Sequence, residues 1–109
     1  MPSRARWCGG RVGPDGRVVR DHAELSRYEL DVDGTVAFAA YRRRDGTVTF
    51  THTEVPEALE GHGVGRDLVQ GALDDVRSRG EKVIARCPFV AAFIRRHPAY
   101  QDLLAKPLA

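Results

Sequence analysis

The sequence predicts a single α/β (α+β) domain built on a mixed sheet. An antiparallel N-terminal meander is followed by one crossover helix, a parallel strand and a short C-terminal helix. Three observations carry this. Alternating apolar and polar segments are separated by Asp33-Gly34 and Asp45-Gly46, dipeptides that favour two-residue hairpins. Residues 65–79 then place apolar side chains at helical spacing. A short apolar run, KVIARC at 82–87, follows Gly80, and a helix joining two neighbouring strands makes those strands parallel.

The elements follow in order. Residues 24–33, ELSRYELDVD, set Leu25, Tyr28, Leu30 and Val32 among charges and read as the first strand. Residues 35–43, TVAFAAYRR, form the second. Residues 47–55, TVTFTHTEV, form the third, rich in β-branched and aromatic side chains, and Pro56 ends it. The arginines at 42–44 read as an exposed edge whose cations discourage further pairing. In the helix, Leu68, Val69, Ala72, Leu73 and Val76 make one apolar stripe. Asp74 with Arg77, and Asp75 with Arg79, are spaced for pairs on the wet face. Gly80 is a natural stop. Residues 89–96 give a second helix with Val90, Phe93 and Ile94 on one side and Pro98 past its end.

A chain of 109 residues suits one core. No apolar run approaches the roughly 18 residues of a membrane span, and the N-terminus lacks the apolar stretch of a secretory signal. Cys8 and Cys87 lie far apart in no metal-type pattern, so the expectation is a reduced, cytoplasmic, monomeric protein without metal or membrane partner. The formal charge of +2 is uneven: Arg4, Arg6, Arg11, Arg17 and Arg20 face only Asp15 in the first twenty residues. Residues 1–17 read as a flexible basic arm and 18–109 as the domain. The arm lacks any recognisable docking element for nucleic acid, so a solvated extension is the expectation.

The stretch EGHGVGRDLVQGALDDVR carries the strongest functional signal. Gly61, Gly63 and Gly65 alternate directly before the helix. A glycine turn there presents backbone N–H groups at the positive end of the helix dipole, which is an anion site that a phosphate can approach closely. No Lys-Ser or Lys-Thr follows, which excludes the triphosphate loop. The dinucleotide fingerprint needs glycine where Arg66 stands, and a βαβ unit where the meander lies.

EGHGVGRDL resembles the Q/R-x-x-G-x-G/A motif of the GNAT superfamily of N-acetyltransferases, with Gly63 and Gly65 at the glycine positions. With THTEVP before it and CPFVAAFIRRHPAY after it, the chain from about 18 to 104 is similar to the short stand-alone NATD-like family. Glu60 departs from the usual Gln or Arg. The resemblance implies acetyl-CoA as cosubstrate and an amine acceptor. It implies main-chain contacts to the pyrophosphate from Gly61, His62, Gly63, Val64, Gly65 and Arg66. It also implies contacts from Glu54 and Val55 to the pantetheine arm, which enters between two splayed strands. Arg95 and Arg96 are either solvated helix ends or contacts to coenzyme phosphates.

Strand parity puts Val48, Phe50, His52 and Glu54 on one face unless a bulge intervenes, and Val83, Ala85 and Cys87 on a facing one. His52, Glu54 and Cys87 are therefore the candidate catalytic groups, and the resemblance points to His52 and Cys87 as a pair. Many relatives use a tyrosine acid on the last helix. Arg95 stands there in this chain, and Tyr100 falls past Pro98. Cys87 is then an acid, a nucleophile or a packed core residue, and direct amine attack in a ternary complex is the favoured route. The first two expected strands are joined without the usual helical segment. That leaves an open acceptor site, suited to a protein lysine or an N-terminal amine. The alternative is a non-catalytic coenzyme A-binding or sensor module.

Overall fold

The computed structural model describes the backbone of residues 7–12 and residues 18–108 in full. Six strands form one sheet in chain order: β1 (Trp7–Val12), β2 (Val18–His22), β3 (Arg27–Val32), β4 (Thr35–Arg44), β5 (Thr47–Glu54) and β6 (Lys82–Ala85). The first five are antiparallel, and β5 pairs with β6 in parallel, as the crossover helix requires. Helix α1 (Val64–Ser78) makes that crossover, and α2 (Pro88–Arg96) follows β6. Both expected hairpins are present. Asp33 and Gly34 have φ of 52° and 87°, and Asp45 and Gly46 have 52° and 76°, the left-handed pair that such turns need.

One face of the sheet is buried under the helices. Val19, Tyr28, Leu30, Ala37, Ala39, Tyr41, Val48, Phe50 and Val83 meet Leu68, Val69, Ala72, Leu73 and Val76 of α1 and Val90 and Ile94 of α2. Close approach is possible because α1 carries Gly71 over β2. A Cβ there would lie 2.6 Å from Val19 Cγ2. The opposite face has no helix on it among the described residues. Its connections are a single 3-10 turn, Ala23–Leu25, between β2 and β3, and the Asp33-Gly34 hairpin.

Several expectations are corrected. Residues 7–12, assigned to the arm, form β1; the bulge between Cys8 and Arg11 takes up Gly9 and Gly10, so glycines that read as loop sit within a paired strand. The rest of the arm, 1–6 and 13–17, lies outside the described residues. The domain also has a strand, β2, before the first one expected, and residues 24–26 are turn rather than strand.

The arginines at 42–44 are not on an edge, because β4 lies between β3 and β5. Arg43 points into the core, where its guanidinium bonds Asp21 Oδ2 at 3.0 Å, Glu81 Oε2 at 3.0 Å, Tyr28 Oη at 3.0 Å and Tyr41 Oη at 2.9 Å. Both phenols donate onward, Tyr28 to Asp75 Oδ2 at 2.6 Å and Tyr41 to Asp21 Oδ1. Arg79 closes the network, reaching Asp75 Oδ2 at 2.8 Å and Asp21 Oδ2 at 3.0 Å. Asp75 is thus buried rather than on a wet face, although its spacing to Arg79 was legible. Arg77 pairs with Asp102 at 2.9 Å, and Asp74 accepts from Tyr100 at 2.8 Å instead. Such pairing offsets the desolvation of buried charge and pins the end of α1 to β2 and β4.

Candidate active site

β6 pairs with β5 only over Thr47–Phe50 of the latter, ending at Phe50 opposite Ala85. Arg86 and Cys87 then both donate their N–H groups to Phe50 O, at 3.0 and 2.9 Å, and the chain turns into α2. The remaining half of β5 runs on without a parallel partner. A groove of about 590 Å³ opens along it, lined by His52, Thr53, Glu54 and Val55, by the glycine loop and by Phe89.

The loop explains its glycines one by one. Gly61 and Gly63 adopt φ of 83° and 71°, where a side chain is strained. Gly63 is also the N-cap of α1 and offers no side-chain acceptor, so the first N–H groups of that helix have no local cap. Gly65 lies inside the helix and serves another purpose. A Cβ there would meet Phe89 Cζ at 2.5 Å, so the glycine admits that ring to the groove. Gly61, Gly63, Val64, Gly65 and Arg66 all line the groove. Arg66 turns its guanidinium to Asp67 Oδ1 at 3.2 Å. His62 is exposed and not among the lining residues. Arg95 and Arg96 sit in the last turn of α2, where cations complement the helix dipole, and the structure does not bring them to the groove.

The parity argument fails at one residue. Tyr41 pairs with Phe50 but Ala40 pairs with His52, so β5 carries a bulge at Thr51. Beyond it the alternation is inverted. Thr53, opposite Ala39, turns to the core side, and its Oγ1 lies 3.2 Å from Cys87 Sγ. His52 and Glu54 turn to the open face, where His52 meets the Phe38 ring edge-on at 6.1 Å. The expected His52–Cys87 pair is therefore a Thr53–Cys87 pair. Cys87 is 3% exposed, at the N-cap of α2, and does not itself line the groove. Tyr100 is committed to Asp74 and lies outside the lining. Thr53 and Phe89 had no signal in the sequence: the first depends on the bulge, the second on the packing of α2 against α1. Among the described residues no group of three or more His, Cys, Asp or Glu is arranged to hold a metal ion, and no helix is long and apolar enough to cross a membrane.

A mixed sheet whose parallel pair splays beside a glycine loop and helix N-terminus defines the N-acetyltransferase fold. A profile described as GCN5-related N-acetyl-transferase matches residues 27–103, and the chain belongs to that family. It is similar to the solution NMR structure of a GCN5-like protein from Staphylococcus aureus, with 27% identity and a TM-score of 0.60 over 75% of this chain and 83% of that one. It is 33% identical over 57 residues to Protein NATD1 of Xenopus tropicalis, covering 52% of each chain. It is 34% identical over 56 residues to Protein NATD1 of Homo sapiens, covering 51% of this chain and 50% of the human one. The chain thus spans about half the length of the curated relatives it matches.

Proposed function

We propose that this chain transfers an acetyl group from acetyl-CoA to a primary amine, by direct attack within a ternary complex. The observation that carries this reading is the continuity of the groove, from the unpaired half of β5 to the glycine loop at the start of α1. The donor set suits the coenzyme: side-chain-free backbone at Gly61 and Gly63, uncapped helix N–H groups, and apolar walls from Val55, Leu59, Val64 and Phe89. Glu60 also lines the groove, and its carboxylate works against anion binding there.

In this reading residues 61–66 hold the pyrophosphate through main-chain N–H groups, and the Val55 N–H faces the thioester oxygen as negative charge develops, an effect commonly worth about 3–4 kcal/mol. His52 or Glu54 takes the proton that frees the amine lone pair. Nitrogen then bonds to the acetyl carbon, the carbon–sulfur bond breaks, and the departing thiolate is protonated. The acetylated nitrogen gives up its second proton to water, which restores the proton that the thiolate's donor lost. The Cys87 thiol does not line the groove, so it is the candidate source of the thiolate's proton only by way of the Thr53 hydroxyl, which does line it.

The test is ligand-induced stabilisation. Acetyl-CoA at a hundredfold excess over its Kd stabilises the native state by about 2.7 kcal/mol and raises the thermal midpoint. Gly63→Asp is expected to abolish the shift, because φ of 71° at this position strains any side chain and the carboxylate adds negative charge to the nest. Equal stabilisation of wild type and variant would remove this reading. Binding without release of free coenzyme A, whether the acceptor is a peptide, a polyamine or lysine, would identify a binding module instead.

A further inference from the structure

The three arginines at 42–44 point to both faces of the sheet. Arg43 is committed to the core network, whereas Arg42 and Arg44 alternate to the face that no described helix covers, and both are exposed. They head two rows that cross three strands. Arg42 pairs with Thr49 and Thr49 with Ile84, while Arg44 pairs with Thr47 and Thr47 with Lys82. Val48 and Val83, between these positions, are fully buried on the core side, so all six residues share the open face. The result is three cations around two threonines and an isoleucine.

The acids nearby do not cancel those charges. Glu81 is bound to Arg43 at 3.0 Å, and Asp102 to Arg77 at 2.9 Å. Lys82 Nζ donates to the Asp102 carbonyl at 3.1 Å, which holds the ammonium without neutralising it. Asp45 lies 3.7 Å from Arg44, but both side chains are at least 90% exposed, and such a pair is weak and screened. Arg42 has no ion pair among the described residues. The patch also stands apart from the groove, whose lining on β5 begins at His52 and includes none of the six.

We propose that this face docks an acidic segment of another protein, laid across it in extended conformation. Carboxylates at alternate positions of an extended chain are about 7 Å apart, the same repeat that separates Arg42 from Arg44 along β4. A guanidinium takes a carboxylate through two parallel N–H bonds, and the methylenes of a glutamate lie against Ile84 and the threonine methyls. Contact is face-on, because the outer edge of β6 is already met by Leu104, where Ala105 N donates to Val83 O at 2.8 Å. Nucleic acid is the poorer fit. None of the six residues is an aromatic on which bases could stack, and no described helix stands on this face to enter a duplex groove.

This surface shares no residue with the proposed transfer site, so each reading is tested separately. The probe is the peptide Glu-Val-Glu-Val-Glu with both ends blocked, titrated into isotope-labelled full-length protein and followed by backbone amide shifts. Shifts are expected at Thr47, Thr49 and Ile84, and not at Gly61, Gly63 or Gly65. Arg42→Gln, Arg44→Gln and Lys82→Gln should each weaken binding about three- to tenfold, and Arg42→Glu should abolish it. A peptide with glutamine at the three acidic positions should bind at least about tenfold more weakly. Raising salt from about 50 to about 300 mM should weaken the glutamate peptide severalfold. Shifts confined to other surfaces, equal binding of the glutamine peptide, or unchanged affinity in Arg42→Gln would overturn the proposal. Tighter binding of a single-stranded oligothymidylate at the same residues would overturn it in favour of nucleic acid. Acetyl-CoA should stabilise Arg42→Glu as much as wild type. Peptide binding without any stabilisation by acetyl-CoA would leave the docking face standing and remove the transfer reaction.

Discussion

Thr53 and Cys87 meet side chain to side chain, Oγ1 to Sγ at 3.2 Å, across the point where β5 and β6 stop pairing. The hydroxyl either accepts from the thiol or donates to a thiolate, so it biases whichever role Cys87 has. If the thiol serves as acid, Cys87→Ser and Cys87→Ala should slow transfer while leaving acetyl-CoA binding nearly intact, and Thr53→Val should give a similar loss of kcat at unchanged coenzyme affinity. Intact-mass measurement after incubation with acetyl-CoA alone distinguishes the nucleophilic route. A stoichiometric acetyl adduct, lost in Cys87→Ala and kept in Cys8→Ala, would establish a thioester intermediate. Full activity of Cys87→Ala would reduce Cys87 to a packing residue.

That contact also marks where the sequence stops being readable. Hairpins and α1 were legible because their causes are local: left-handed dipeptides at 33–34 and 45–46, and a stripe of apolar residues over 68–76. The Thr51 bulge has no local cause. Threonine, histidine and threonine fit either register, and the extra residue is fixed only by how Tyr41 and Ala40 of the neighbouring strand pair. Arg43 was misread for the same kind of reason, since its partners Asp21 and Glu81 come from segments far along the chain. β1 carries its register shift at Gly9 and Gly10, between the paired residues Cys8 and Arg11, so no continuous side-chain pattern announces a strand there.

Gly65 and Phe89 form a coupled pair. Gly65→Ala should displace the Phe89 ring, since the new Cβ would sit 2.5 Å from Cζ. Because Phe89 is 44% exposed, the ring has room to move, and the expected effect is on the groove more than on stability. Gly65→Ala is expected to weaken acetyl-CoA binding several-fold by calorimetry, and to have little further effect in a Phe89→Ala background. Additive losses in the double variant would show that the two residues act independently.

Gly71 presents the opposite situation. Its would-be Cβ meets Val19 Cγ2 and Cβ at 2.6 and 2.7 Å, and Val19 is fully buried in the sheet. Gly71→Ala gains helix propensity but overpacks a rigid neighbour, and the net expectation is destabilisation of about 1–3 kcal/mol. Val19→Ala should relieve only the part that comes from Cγ2, because the Val19 Cβ stays 2.7 Å from the new one. Chemical denaturation of both single variants and the double variant measures this, and an unchanged or raised midpoint for Gly71→Ala would refute the close-packing account.

Arg43 is the hub of the buried network, and Arg43→Met tests what the network contributes. The substitution keeps the stem but removes the charge facing Asp21, which is 1% exposed. Arg79 and Tyr41 still bond Asp21, so the loss should be near the lower end for breaking a buried pair, about 3 kcal/mol. Adding Asp21→Asn should recover part of it. A stability change within about 0.5 kcal/mol of wild type would mean that the network is solvated in practice.

All three tyrosines of the chain are held protonated by their surroundings. Burial pushes Tyr28 and Tyr41 above the ordinary phenol value, and hydrogen bonds to Asp75 and Asp21 add to the effect. Burial, then the bond to Asp74, pushes Tyr100 up to about 12. The ordinary value is about 10, so above that pH the unfolded chain releases protons that the native chain retains. The stability these groups contribute is therefore fully present below about pH 10 and is lost as pH rises through about 12 and beyond. Tyrosinate absorbance should stay near zero until circular dichroism reports unfolding, and the two signals should then rise together. Tyr100→Phe should leave that coincidence intact, because Tyr28 and Tyr41 are the more deeply buried pair. A tyrosine that ionises near pH 10 in a chain still folded by circular dichroism would contradict the hydrogen-bonded network described for it.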